Sequence, residues 1–457
     1  MPNRLLHFQQ LREAYPEFIF ENFTISHLSE GVRAEFHFTS GPELVFRPTV
    51  LFCRTMEFAE LDSEALHLLM FHIGMSELIS YWKAVCSPVV VIKPFRFTTA
   101  QEQWWKKLFR HGLGEFFFTN EIPIPGDEIF SFSYPAGTPH FSPVQIAGGD
   151  EGVMVPVGGG KDSVVALEVL SRNQFQVMPL VMNHREATRN VLNVGGYDNL
   201  HTFEIRRTLD PLILELNQKG FLNGHTPFSA LLAFNALLAA ALSGKSHIAL
   251  SNEWSANEAT IPGTIVNHQY SKSVEFEGDF REYVAQHLVK GINYFSFLRP
   301  LNELQIGKLF SGFEKYHPVF RSCNVGSKTD SWCCNCSKCL FTYIILAPFL
   351  EEKRLVHIFG ENLWQNAELK NTLNELCGFS DNKPFECVGT TDEVKAALWH
   401  VSRNYPGSDL PVLLRHFLEN APNTDLPENF NMHLKAFHKP HFLTEEFEIV
   451  LKGALHF

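Results

Sequence analysis

The chain has 457 residues, too many for one hydrophobic core, and at about 150 residues per domain it divides into two or three. Apolar residues make up 45% and charged residues 19%, the balance of a soluble globular protein, which excludes a largely disordered or low-complexity chain. A formal charge of −12 excludes a broad nucleic-acid-binding surface, because phosphate contacts need clustered Lys and Arg.

The N-terminus, Met1-Pro2-Asn3-Arg4-Leu5-Leu6-His7-Phe8, lacks the apolar core of a signal peptide, so the sequence predicts a cytoplasmic protein. Over residues 17–51 the apolar positions alternate, with Phe18, Phe20, Phe36 and Phe38 set between turn-formers such as Ser29-Glu30-Gly31 and Ser40-Gly41-Pro42. That pattern predicts a small antiparallel sheet. Residues 62–82 read as an amphipathic helix capped by Asp62 or Ser63, Val89-Val90-Val91-Ile92 as a buried strand, and residues 99–111 as a second helix. Trp104 and Trp105 on that helix are read as core aromatics rather than a platform for a base. Residues 1–145 are therefore expected to form an α+β N-terminal domain.

The pattern then changes. Val153-Met154-Val155-Pro156-Val157 is an apolar strand, residues 163–172 a helix and residues 176–182 a second strand. Further strands are expected at residues 201–206, 247–250 and 294–298, with helical stretches between them. Strands alternating with helices imply βαβ units, so the fold class expected for residues 146–351 is α/β, a doubly wound parallel sheet with its ligand site at the strand carboxyl ends. The uncharged stretch 226–244 is too short in its apolar centre to span a bilayer, which takes about 20 residues, and is read as a helix buried against that sheet. Two basic groups, His184 with Arg185 and Arg189, and Arg206 with Arg207, can face solvent or hold an anion. Residues 352–457 are treated as a smaller C-terminal region.

Two motifs carry chemistry. In Gly158-Gly159-Gly160-Lys161-Asp162-Ser163, glycines follow a buried strand and open a helix. Such a turn presents backbone N–H groups and a helix N-terminus to a phosphate. It fails the Walker A spacing, with Val155 where a glycine belongs and Asp162 where Ser or Thr belongs, and it fails the dinucleotide fingerprint at Ser163. It resembles the Ser-Gly-Gly-x-Asp-Ser loop of the PP-loop ATP pyrophosphatases, with Gly158 in place of the first Ser. The second motif is the run Cys333-Cys334-Asn335-Cys336-Ser337-Lys338-Cys339 with Cys323 upstream. Four thiolates close a tetrahedral structural Zn²⁺ site, and Cys323, Cys333, Cys336 and Cys339 are the chosen ligands, with Cys334 the alternative to Cys333. The same arrangement resembles the zinc knot of 7-cyano-7-deazaguanine synthase, a PP-loop enzyme.

The long N-terminal region, the triple-glycine form of the loop, and the stretches His72-Ile73-Gly74-Met75-Ser76-Glu77-Leu78-Ile79-Ser80-Tyr81-Trp82-Lys83 and Ser251-Asn252-Glu253-Trp254-Ser255-Ala256-Asn257-Glu258 together resemble the UDP-N-acetylmuramoyl-L-alanyl-L-glutamate epimerases. The resemblance implies a PP-loop (HUP-like) sheet and an ATP-dependent inversion of the terminal L-Glu of a UDP-muramoyl dipeptide, through an acyl-adenylate, with release of AMP and pyrophosphate. It implies ATP bound by Gly158, Gly159, Gly160, Asp162 and Ser163, with Mg²⁺ associated with Asp162. Lys161 and Glu253 join Asp162 as expected catalytic residues. Ser251, Asn257, Tyr270 and Lys272, with His268 nearby, are the expected substrate contacts. The competing readings are a PP-loop amide or nitrile synthetase and, from another class, a non-catalytic nucleotide-binding zinc protein. Neither nucleic acid nor membrane is expected as a partner, and the sequence does not specify an oligomeric state.

Overall fold

The computed structural model describes residues 4–146, 150–198, 200–261, 263–406, 409–421 and 426–455. In chain order the strands are β1 (Glu17–Leu28), β2 (Gly31–Ser40), β3 (Leu44–Phe46), β4 (Thr49–Cys53), β5 (Val89–Ile92), β6 (Ser131–Ser133), β7 (Val144–Gln145), β8 (Asp150–Pro156), β9 (Val177–Met182), β10 (Phe203–Thr208), β11 (Lys245–Leu250), β12 (Val289–Lys290) and β13 (Asn293–Ser296). Along β2 every second side chain, Val32, Ala34, Phe36 and Phe38, is buried, the period that the alternating sequence dictates.

All but two of these strands join one mixed, mostly parallel sheet of eleven, in the order β13-β11-β8-β9-β10-β4-β2-β1-β5-β6, with β3 paired on β2. β7 and β12 form a separate parallel pair. The strands from β8 onward in the large sheet are all parallel to one another. The expected antiparallel pairing of β1, β2 and β4 is present, but it does not make a separate small sheet. β10 pairs antiparallel with β4, Arg206 opposite Leu51 and Thr208 opposite Thr49. The physical reason is edge completion: a bare β4 edge would leave backbone donors and acceptors unpaired, and β10 supplies them.

Both faces of the parallel strands are covered. Met154, Ile248 and Leu250 enter one core with the helices Ser63–Trp82 and Phe228–Ser243. Val153, Val155 and Ala249 enter the other with the helices Lys161–Arg172 and Ser337–Leu346. The helix at 63–82 departs from its expected character. It is buried on every side, His72, Ser76 and Glu77 included, and Asp62 makes no side-chain cap bond. Trp105 is fully buried and stacks on Phe234 at 5.3 Å, so the tryptophan pair is core, as read from the sequence. The described residues beyond 352 are largely helical, and Leu398, Leu414 and Phe447 pack into the same core as Val155 and Phe297. Among the described residues no helix is long and apolar enough to cross a membrane.

Candidate active site

At the end of β8 the chain turns through Gly158, Gly159 and Gly160 into the helix Lys161–Arg172. Gly159 has φ +88°, and a Cβ there would stand 2.9 Å from the Thr188 amide nitrogen and 3.0 Å from the Ala187 carbonyl carbon, so only glycine fits without moving backbone. A Cβ on Gly160 would meet Ser322 Oγ at 2.9 Å, while Gly158 faces open space. The Arg321 amide donates to the Gly159 carbonyl at 2.9 Å, and Ser163 Oγ donates to the Gly160 carbonyl at 2.9 Å. The loop is thus held from below by residues 321–322 and from the side by the start of the helix Glu186–Gly195.

Above it opens a cavity of about 350 Å³ at the carboxyl ends of β8, β9 and β11. Gly158, Gly160, Asp162 and Ser163 line one wall, and Ser251, Asn252, Glu253 and Lys272 line another. Arg185, Arg321 and Lys338 add positive charge to the lining. This is where a parallel sheet presents its ligand site. Ser251 Oγ is buried with no hydrogen-bond partner among the described residues, a donor left for a ligand.

Lys161 does not line the cavity. Its side chain turns inward, 3% exposed, and its Nζ donates to Asp162 Oδ1 at 2.5 Å and to the buried Glu303 carboxylate. Burial opposes the ammonium, but Asp162 and Glu303 together hold the Lys161 pKa above the usual lysine value. Burial pushes the Glu303 carboxyl well above the usual range, against the pull of Lys161. Asp162 spans the two environments, in the cavity lining and bonded to a buried cation.

The opposite wall is fixed by Arg299, which is fully buried. Its guanidinium donates to the Glu253 carbonyl at 2.6 Å, to the Lys272 carbonyl, to Ser296 Oγ at 3.2 Å and to Glu277 Oε2 at 3.1 Å. One buried cation therefore ties down both loops that carry polar groups to the cavity. The Glu253 carboxylate itself accepts from Ser255 Oγ at 2.9 Å. Asn257 and Tyr270 are outside the lining. Asn257 bonds the Trp254 carbonyl at 2.9 Å and the Val274 amide at 2.7 Å, holding loop to helix, and Tyr270 is buried with its phenol pKa raised. Lys272 Nζ lies 3.2 Å from Cys387 Sγ.

The four thiols chosen from spacing converge. Cys323 to Cys336 is 3.9 Å, Cys333 to Cys339 is 3.7 Å and Cys336 to Cys339 is 3.5 Å, sulfur to sulfur. A tetrahedral Zn²⁺ with bonds of about 2.3 Å requires sulfurs about 3.8 Å apart, so this cluster can hold a metal. Cys334 points elsewhere, its thiol against the Phe359 carbonyl at 3.2 Å. Cys323 also lines the cavity, so the cluster anchors the 321–324 wall under the glycine loop.

The basic groups separate. Arg185 lines the main cavity, whereas His184, Arg189, Arg206 and Arg54 line a second, polar cavity of about 670 Å³. Arg207 belongs to neither, because it bonds Glu77 Oε2 at 2.8 Å inside the fold. Adjacent strand residues point to opposite faces, which divides Arg206 from Arg207. Sequence reasoning did not single out Arg299, Glu303, Arg321 or Lys338 at the main site. Lys338 carried a signal in its place within the cysteine run, and Arg299 and Glu303 in the segment 298–304, which resembles the late strand-to-helix junction of the PP-loop enzymes.

A polar cavity beside a glycine turn at the carboxyl ends of parallel strands, its wall tied to a four-thiol cluster, places the protein among α/β proteins whose ligand site lies at the strand ends. Residues 9–297 match the model of the MurL N-terminal domain and residues 319–430 that of the MurL C-terminal domain, and the chain belongs to the MurL epimerase family. It is 33% identical over 408 residues to a UDP-N-acetyl-alpha-D-muramoyl-L-alanyl-L-glutamate epimerase of Xanthomonas oryzae pv. oryzae, covering 85% of this chain and 86% of that relative. Proteins of the same name from a Micromonospora species and from Salinispora tropica are 33% and 32% identical, covering 76% and 73% of this chain and 77% and 73% of theirs. No solved structure gives a significant match.

Proposed function

We propose that the protein is an ATP-dependent epimerase that inverts the terminal L-Glu of UDP-MurNAc-L-Ala-L-Glu. The observation that carries the proposal is the cavity, in a member of this family, where Gly158, Gly160, Asp162 and Ser163 face Ser251, Glu253 and Lys272. The strand order β13-β11-β8-β9-β10, with β8 central and the loop at its end, is the arrangement expected of a PP-loop, doubly wound sheet. In this reading residues 146–351 handle ATP, residues 1–145 extend the sheet and residues 352–457 close one face of it.

The loop amides at Gly158 to Gly160 and the helix start at Lys161 receive the phosphates of ATP, and Ser163 supplies a hydroxyl. Asp162 would hold Mg²⁺, which would supply positive charge to offset that of the departing pyrophosphate. Lys161 acts from beneath, holding Asp162 in orientation through its pair with Glu303. Removing the α-proton of an ionised glutamyl residue puts two negative charges on neighbouring atoms. Converting the α-carboxylate to an acyl-adenylate removes one of them and opens an electron sink, so proton removal becomes feasible. Glu253 is positioned for acid–base work at that carbon, and Lys272 and Ser251 bind the substrate. Hydrolysis then gives the D-epimer, AMP and pyrophosphate. The cysteine cluster takes a structural zinc, since four thiolates leave no open coordination position. An ATP-consuming enzyme of this kind works in the cytoplasm.

Incubation with ATP, Mg²⁺ and the UDP-muramoyl dipeptide, followed by chiral analysis of the released glutamate, tests the proposal. D-Glu formed only with ATP is the expected result. Unchanged L-Glu, or an amide product that appears only with ammonia, would contradict it.

A further inference from the structure

Behind Lys272 lies a cluster assembled from all three parts of the chain. Cys387 Sγ is 3.2 Å from Lys272 Nζ, and His268 is among its electrostatic neighbours. His268 Nδ1 in turn bonds Glu115, with His225 Nδ1 3.7 Å from the same carboxylate oxygen and its ring centroid 4.4 Å from that of His268. A thiol in contact with an ammonium and near an imidazole that is itself oriented by a carboxylate is in surroundings that activate a cysteine. Lys272 connects it to the main cavity, because it lines that cavity and interacts electrostatically with Cys387, Glu253 and Asp162.

The environment supports a thiolate. Burial alone would raise the Cys387 thiol, but Lys272, Lys338 and His268 outweigh it and bring its pKa down to about 5. Besides Glu115, Glu386 is a nearby acidic group, and it accepts from Asn324 Nδ2 at 2.7 Å. Burial works against the His268 imidazolium, yet Cys387 and Glu115 carry its pKa up to about 9. The other thiols outside the metal cluster behave oppositely: burial pushes Cys53 up to about 11 and Cys334 and Cys377 up to about 12.

Building on the epimerase reading, we propose that Cys387, paired with Lys272 and backed by His268 and Glu115, is the group that takes the α-proton from one face of the activated glutamyl carbon. The Cα–H bond breaks, the proton forms a bond to Sγ, and the electron pair moves into the acyl group as an enolate. A proton from a water held by Glu253 in the cavity wall then enters the opposite face of Cα, and the hydroxide left behind recovers the thiol proton. His268 and Glu115 are positioning residues, which keep the sulfur charged and aimed.

The full-length zinc-bound protein provides the test. Cys387→Ser should form AMP from ATP and the UDP-muramoyl dipeptide within about fivefold of the unaltered protein, while α-deuterium uptake and D-Glu formation fall more than about a hundredfold, the general-base scale. Retained exchange, or AMP formation lost in the same proportion, overturns the proposal. If the unaltered protein forms no AMP, the epimerase reading itself fails, which is a separate result. An independent arm alkylates the unaltered protein with iodoacetamide at pH 6 and follows the Cys387 peptide by mass spectrometry. Labelling at least about tenfold faster than an ordinary thiol of pKa about 8.5, slowed by saturating dipeptide substrate, supports the role. Slow labelling, labelling indifferent to substrate, or a second bound metal that is lost in Glu115→Gln overturns it.

Discussion

Replacing Arg299 by Met should unfasten the inner wall of the site, and the structure sets the size of the effect. The substitution removes donors to the carbonyls of Glu253 and Lys272 and leaves the Glu277 carboxylate, 2% exposed, without its cation. Breaking a buried ion pair from one side costs about 3–5 kcal/mol, because the surviving charge stays desolvated. Against a total stability of about 5–15 kcal/mol this is a large fraction. Glu277→Gln removes the other charge while keeping an acceptor for the Ser296 amide, which Glu277 Oε1 now receives at 2.8 Å. The double variant should therefore cost less than the two single losses combined, with a coupling of about 2 kcal/mol. Urea unfolding followed by tryptophan fluorescence gives the four stabilities of the cycle. Arg299→Met within about 1 kcal/mol of the parent, or strict additivity, would refute the idea that this buried cation holds the wall together.

Three further outcomes follow from the same geometry. Gly159→Ala forces a Cβ against the Thr188 amide and a left-handed φ on a non-glycine residue, so it should cost about 2 kcal/mol in denaturation and cut ATP cleavage more than tenfold. Asp162→Asn should leave the unfolding free energy within about 1 kcal/mol while pyrophosphate release falls more than tenfold, a barrier increase of about 1.4 kcal/mol or more; near-normal release would exclude the glycine loop as the ATP site. Metal analysis should find about one Zn²⁺ per chain, and Cys336→Ser should lower stability and loosen the 321–324 wall, seen as faster amide exchange there, before it alters the rate of the remaining folded protein. A folded, metal-free preparation would count against a structural zinc.

The parts of the molecule legible in the sequence are those whose information is local. The glycine turn is contiguous, and the strand before it and the helix after it follow from periodicity, so its place at a strand end could be read directly. The thiol cluster was readable because three ligands lie within seven residues, at positions 333, 336 and 339. Long-range pairings were not readable. Nothing in Thr49 or Thr208 announces that β4 and β10 close one sheet, and Arg299 gains its meaning only where the loops of Glu253 and Lys272 meet. Glu115, His268 and Cys387 come from distant segments, and each alone is an ordinary polar residue. The inward turn of Lys161 depended on Glu303, 142 positions away. The split between Arg206 and Arg207 was within reach, since strand periodicity alone separates neighbours. The helix at 63–82 was misjudged because its few polar residues, Glu77 above all, find partners inside the fold.

The central claim is that the α-carboxylate is activated before its α-proton is lost. Its most direct test follows deuterium entering the glutamyl α-position from heavy water, with and without ATP, while nucleotide products are resolved in the same samples. The account predicts exchange only with ATP, in step with the appearance of AMP and pyrophosphate, because only the activated acyl group can accept the carbanion's charge. Exchange at full rate without ATP, or ADP as the nucleotide product, would contradict it.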